Sequence, residues 1–389
     1  MFQSFFTGLS GMFSFSKNLD NVSNNIANLN TPGFKGSDTF YSSLTSGEGG
    51  VGTQVSGQQQ RFESGDIRQT GNPGDLAIGG EGFFVLLNEG EVQYSRAGQF
   101  VFDSEGFLVD STSGGRVATV NESGQLEPIN ISDLRTLPPQ ATSQINFSGN
   151  LSSDMSTHTV AGVTVFNTLG ESSELTFEFT NNTSVAAGSW LVTVTDEDGN
   201  TVHTDEIIFG ADGTPVDGAN EFSFDLTDSN GGASLVVINF GESGSFANTT
   251  SVSGGQVSTA TASVEDGFGM SVLTTIEFDA DGLLKLNYAN GQSVDGPRLG
   301  LANFSNPSSL ELVAGSTFRA GQETSIVYGN PGDNGMGSII AESIELSNVD
   351  LSREFADMII IQRGYQASSR ILNVANQLLD QLYENTRGR

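Results

Sequence analysis

From Met1 to Leu29 the apolar side chains recur at steps of four and three: Met1, Phe5, Met12, Phe15, Leu19, Val22, Ile26 and Leu29, with Gly8 the one break. A repeat near 3.5 places one narrow apolar seam on a helix, with Ser, Asn and Lys17 around the rest. Pro and Gly at Asn30-Thr31-Pro32-Gly33 stop it, so a helix over about residues 4–29 is expected. The other end mirrors this. Asn348, Asp350 and Ser352 offer capping side chains, and Glu354 puts a negative charge in the first turn. Leu351, Phe355 and Met358 open the helix; Ile361, Tyr365, Leu372, Ala375, Leu379 and Leu382 continue it, with Ser368 the polar exception. Gly364 is the one Gly or Pro between Leu351 and Glu384, which predicts a helix over about residues 350–384. The two helices would run roughly 40 Å and 50 Å.

Between them the period changes to two. Leu175, Phe177 and Phe179 alternate with polar residues, as do Trp190, Val192 and Val194, Phe222, Phe224 and Leu226, and Val236, Ile238 and Phe240. Asp198-Gly199, Asp212-Gly213, Asp281-Gly282 and Asn290-Gly291 supply hairpin turns. Ser, Gly and Thr dominate residues 241–265, which reads as a long loop or domain edge, and the polar stretch from Thr45 to Gln60 reads as a spacer between the first helix and the β body. The layout is helix, β body, helix, with termini able to meet, and one domain inserted in another is the simplest arrangement that fits.

Composition agrees with a β body rich in tight turns: Gly is high at 49 of 389 residues, and charged residues are low at 16%. No apolar run approaches the roughly 18 residues of a membrane span. Met1 to Asp20 has a lone Lys17 and no small-residue cleavage site, which makes it a poor secretory signal. The absence of cysteine removes disulfides, thiol nucleophiles and Cys-ligated zinc. Net charge is −31, and between Thr136 and Leu284 there are 20 Asp or Glu and no Lys or Arg. That surface repels nucleic acid and anionic lipid.

No constellation for catalysis emerges. Asp196-Glu197-Asp198-Gly199-Asn200 and Asp279-Ala280-Asp281-Gly282 lack the ligand frame of a calcium loop and read as turns. His158 and His203 have no nucleophile elbow to serve. Gly79-Gly80-Glu81-Gly82 precedes a strand, where a phosphate loop would join a strand to a helix. Neither enzyme, cofactor nor metal is expected. What remains is the seams, which a lone helix cannot bury. An intramolecular pair of the two ends and self-association both follow, the second favoured by the apolar flanks Phe2, Phe6, Phe13, Ile359 and Ile360. Candidate self-assembly residues are Phe5, Leu9, Met12, Phe15, Leu19, Val22, Ile26, Leu351, Phe355, Met358, Ile361, Tyr365, Leu372 and Leu379.

The same helices carry a resemblance. Leu19-Asp20-Asn21-Val22-Ser23-Asn24-Asn25-Ile26-Ala27-Asn28, followed by Thr31-Pro32-Gly33-Phe34-Lys35, resembles the N-terminal signature of the bacterial flagellar rod and hook axial proteins. Ser347-Asn348-Val349-Asp350-Leu351 and Gln362-Arg363-Gly364-Tyr365-Gln366-Ala367 are similar to the second signature of that family. Gly74-Asp75-Leu76-Ala77-Ile78, Gly82-Phe83-Phe84 and Tyr94-Ser95-Arg96-Ala97-Gly98-Gln99-Phe100 resemble its shared β domain. The motif residues carried over are Asn24, Asn25, Asn28, Gly33, Phe34, Lys35, Asn348, Asp350, Gln362 and Arg363. Within the family, Asp350, Gln366 and the large β insert from about Asn146 to Gly269 look hook-like, with Val163-Thr164-Val165-Phe166-Asn167 like the start of the hook's outer domain.

The resemblance implies a mainly β fold with long N- and C-terminal α-helices. Its domains would be nested: residues 1–68 with 350–389 a coiled-coil-like helical core, 69–145 with 270–349 an inner β domain, and 146–269 an inserted outer β domain. It implies a non-enzymatic subunit of a flexible tube that transmits torque, exported through the flagellar type III apparatus. The expected partners are copies of itself, the distal rod, the hook cap and the hook–filament junction proteins, with neither nucleic acid nor membrane insertion. A distal-rod protein, or an axial protein whose insert is a binding module, are the alternatives.

Overall fold

The computed structural model describes residues 2–46, 49–121, 123–321 and 324–387, so the Met1 position of the first seam lies outside the described residues. The side chain of Phe2 is likewise outside what is described. The chain is mainly β and ends in two long helices, α1 (Phe2–Ala27) and α2 (Leu351–Arg387). Both are shifted by one to three residues from the expected bounds. The chain leaves α1 after Ala27 and turns through Asn30-Thr31-Pro32-Gly33, where Gly33 takes φ 66°, a left-handed conformation. At the other end Asp350 caps α2: its Oδ1 accepts the Ser352 N–H at 2.7 Å and the Arg353 N–H at 3.3 Å.

The chain divides into two compact units. The first comprises residues 1–134, 275–286 and 293–389; the second comprises residues 135–274 and 287–292. In the second, four antiparallel strands (Thr157–Phe166, Ser172–Asn181, Ser189–Thr195, Thr201–Ile208) face a mixed sheet built on Gln144–Asn150, Glu221–Thr227 and Ala233–Asn239. Every apolar residue of the four period-two runs is buried between the sheets, around Trp190 and a cluster of Phe147, Phe177, Phe179 and Phe240. Residues 241–265 are mostly irregular, as expected, with two short strands, Thr249–Thr250 and Thr261–Val264, laid against Gln144–Asn150. The acidic loop at 196–200 is a turn: the Asp196 carboxylate accepts the Asn200 backbone and side-chain N–H groups, which hold its pKa below the usual carboxylate value.

In the first unit a sheet centred on Phe83–Asn88 and Glu91–Ser95 buries Phe83, Val85, Tyr94, Phe304 and Phe318. Leu76–Gly79, from the resembling motif, is a buried strand paired with Ser338–Ala341. The stretch from Thr45 to Gln60 departs from its reading as a spacer. Ser37–Ser46 (β1) and Gly49–Gln60 (β2) form a long antiparallel hairpin that lies along α1. Its strands are mostly Ser, Thr, Gly and Gln, and their few apolar residues do not alternate along them. Ser10 and Ser14 of α1 supply the missing partners: Thr53 N–H donates to Ser10 Oγ at 3.2 Å, and Ser14 Oγ donates to Thr53 O at 3.2 Å.

Candidate assembly surface

The two terminal helices pack on each other, and small residues make the closest approach. Gly8, Gly11, Ser14 and Val22 of α1 are buried, as are Ile361, Ser368 and Ala375 of α2, which are seven residues apart. A Cβ on Gly364 would lie 2.4 Å from the Phe15 ring, and one on Gly11 2.9 Å from Ser368 Oγ. The residues that interrupt the apolar series are therefore its contact points, because only small side chains let the backbones come this near.

The predicted apolar residues flank that seam. Phe5, Leu9, Met12, Phe15, Leu19 and Ile26 of α1 are half-buried, and Met358, Leu372 and Leu379 of α2 likewise. Of the fourteen candidates only Val22 and Ile361 are fully buried, while Leu351, Phe355 and Tyr365 are exposed. Beside the seam α2 carries a second row, Ile360, Ala367, Ile371, Val374 and Leu378, all exposed; Ile360 is 64% and Val374 54% accessible. A groove of about 480 Å³ runs along it, lined by Ser4, Arg370, Ile371, Val374, Ala375 and Leu378. Phe6 and Phe13 project from α1 at 57% and 63% exposure.

Most of the motif residues lie elsewhere, at the junction of the helices with the β structure. Lys35 Nζ lies 2.6 Å from Glu345 Oε1, and Arg96 Nη1 lies 3.3 Å from Glu345 Oε2, with all three side chains out of contact with solvent. Gly65 N–H donates to the same carboxylate at 2.9 Å, Lys35 donates to Glu63 O, and Arg96 donates to Gly80 O. Burial lowers the pKa of both cations, an effect the Glu345 charge opposes. Gly33 completes the clasp: its N–H donates to Glu345 O at 2.8 Å, and a Cβ there would sit 2.3 Å from Ala97 N. Phe34 is buried beside it.

A second junction surrounds Asn25. Its amide bonds both the N–H and the C=O of Ser37, and it donates to the Glu354 carboxylate, which accepts Arg61 Nη2 at 2.6 Å. Asn21 also grips Ser37, and Asn348 accepts Gly36 N–H while donating to Arg61 O and Glu63 O. Asn28 donates to Asn24 O and closes the end of α1. Asn24, Gln362 and Arg363 are exposed. Sequence reasoning missed Glu345, Glu354, Arg61, Arg96 and Asn21 as site residues. No local pattern announces a pair separated by 310 residues, as Lys35 and Glu345 are; the one available sign was their position beside motif residues.

No described helix is long and apolar enough to cross a membrane. Residues 5–35 match a family model described as flagella basal body rod protein, residues 77–153 one described as flagellar hook protein FlgE/F/G D1 domain, and residues 340–384 one described as flagellar basal body rod FlgEFG protein C-terminal. The chain is 30% identical to the flagellar hook protein FlgE of Escherichia coli strain K12, over 97% of this chain and 98% of that protein. It is 28% identical to the FlgE of Treponema pallidum, over 98% of each. A crystal structure of Helicobacter pylori FlgE2 has a similar fold, with TM-score 0.50 and 13% identity, covering 70% of this chain and 98% of that one.

Proposed function

The chain belongs to the flagellar hook protein family, and from that premise we propose that it is the structural subunit that self-assembles into the tubular, flexible hook, linking rod and filament and transmitting torque for motility. The observation that carries this is the helical pair with its outward apolar row, Ile360, Ala367, Ile371, Val374 and Leu378, joined to the β structure by the buried Glu354–Arg61 ion pair and by Asn25. A rigid junction beneath a sticky helical pair is what a load-bearing tube wall needs. The terminal helices form the inner tube, where the flanking candidates from Phe5 to Leu379 meet neighbouring copies. The rod-described models match only the ends of the chain, whereas hook relatives align with it from end to end, insert included. This favours hook over distal rod.

The domains we propose are nested in sequence: residues 1–68 with 350–389, 69–145 with 270–349, and 146–269 as an insert. The compactness of residues 135–274 as a unit supports the insert. Its acidic, base-free surface suits a face turned to the medium. Export through the flagellar type III apparatus without a cleaved signal, and contact with rod, cap and junction proteins, belong to the same reading; catalysis does not. The test is electron microscopy of tubes formed by the full chain and by Ile371→Asp/Val374→Asp. Tubes are expected from the first and none from the second, with the monomer folded in both. Tubes of normal yield from the variant would overturn the assignment of this row.

A further inference from the structure

We propose that the outer edge of β1 receives a strand from a second copy of this chain. The inference rests on the self-assembly reading above. β1 and β2 form a sheet of two strands only, so each offers one edge. The edge of β2 is engaged by α1 at Thr53, where Ser10 and Ser14 satisfy both of its main-chain groups. At its start β1 is held by Asn21 and Asn25, which bond Ser37. From Thr39 to Leu44 its main chain has no backbone partner outside the hairpin among the described residues.

Proteins protect such edges with Lys, Pro, inward charges or a covering element. Between Ser37 and Ser46 there is no Lys, Arg, Glu or Pro. The one charge, Asp38, is engaged by Arg353 at 3.2 Å. Phe40 and Tyr41 are exposed instead, at 50% and 42%. Aromatic, uncharged and unprotected, the strand has the character of an edge that is covered in use.

Charge argues that the cover is another copy. A chain of net charge −31 repels its own kind over most of its surface, and contacts between copies form where that charge is missing. β1 is such a strip. Because α1 engages the other hairpin edge at Thr53, the two edges are not equivalent, and the receiving edge differs from the strand received. That is a heterologous contact, which propagates along a polymer without closing into a dimer.

Hydrogen exchange on the native chain tests this, read on peptides covering residues 38–44 in monomer and in tubes. Amides of β1 that face away from β2 exchange freely in the monomer and are expected to slow at least about tenfold in tubes, as strand pairing protects them. Unchanged exchange in well-formed tubes would overturn the proposal. A second arm uses Phe40→Lys/Ser43→Lys, both exposed sites. The monomer should melt as wild type does, while the concentration needed for tubes rises about tenfold or more, because lysines block edge pairing. Protection in wild-type tubes without sensitivity to the lysines would mean a cover other than a strand, and would also overturn it. Failure of the wild-type chain to form tubes at all would instead refute the function on which the inference rests.

Discussion

Replacing Glu345 by Gln should be among the most damaging single changes in the protein. The carboxylate lies between Lys35 at 2.6 Å and Arg96 at 3.3 Å, with no solvent reaching any of the three side chains. Gln keeps the shape and an acceptor for Gly65 N–H but removes the carboxylate charge that bonds both cations. Leaving buried charge unpaired costs about 3–5 kcal/mol. For a unit of this size each kcal/mol moves the melting temperature by about 2–4 °C, so a fall of roughly 6–20 °C is expected. Lys35→Met provides the contrast. It removes the surplus cation and leaves Arg96 paired with Glu345, so it should cost less than about 2 kcal/mol, mainly for the bonds lost to Glu63 O and Glu345. Helical circular dichroism follows the terminal helices, while fluorescence of Trp190, the chain's one tryptophan, follows the second unit as an internal control. The reasoning is refuted if Glu345→Gln melts within about 1 kcal/mol of wild type, or if Lys35→Met is as harmful as Glu345→Gln.

Gly364→Val should drive α2 off the Phe15 ring, which lies 2.4 Å from any Cβ placed there. A loss of about 1–3 kcal/mol in the helical transition is expected by circular dichroism. Burial depresses the folded pKa of Lys35, so the unfolded chain holds more protons in the window between that depressed value and the ordinary lysine value of 10.5. Stability should therefore rise with pH through that window, read below the tyrosine range, and Lys35→Met should flatten the slope in urea titrations. Assembly should weaken in low-salt buffer, since like-charged subunits are screened over about 10 Å at 0.1 M salt; sedimentation that proved independent of salt would count against it.

The second unit was legible because its core obeys one rule. Leu175, Phe177, Phe179 and their counterparts alternate with polar residues, and each faces the opposing sheet. The terminal helices were legible as helices, but the small residues at their closest contact were not. Periodicity scores Gly8, Gly364 and Ser368 as interruptions, whereas close packing uses them because they are small. The β1–β2 hairpin left no apolar alternation, its partner surface being two serines on a helix. The motif on Asn25, Lys35 and Asn348 could be recognised, yet its physical purpose could not be read. Each of these side chains bonds a residue or main-chain group from a distant part of the sequence, and their partners Glu345, Glu354 and Arg61 give no local signal.

The span of the Lys35–Glu345 clasp also sets a schedule. Its two halves are separated by 310 residues, and closing a loop of that length costs about 5 kcal/mol in chain entropy. A chain delivered N-terminus first presents Lys35 early and waits for Glu345 until almost all of its length has arrived. During that interval the acidic unit, whose contacts are internal to residues 135–274 and 287–292, is able to fold, while the seat for α1 is incomplete. Arrival of Glu345 therefore sets the order of events: the clasp closes only after the acidic unit has been delivered.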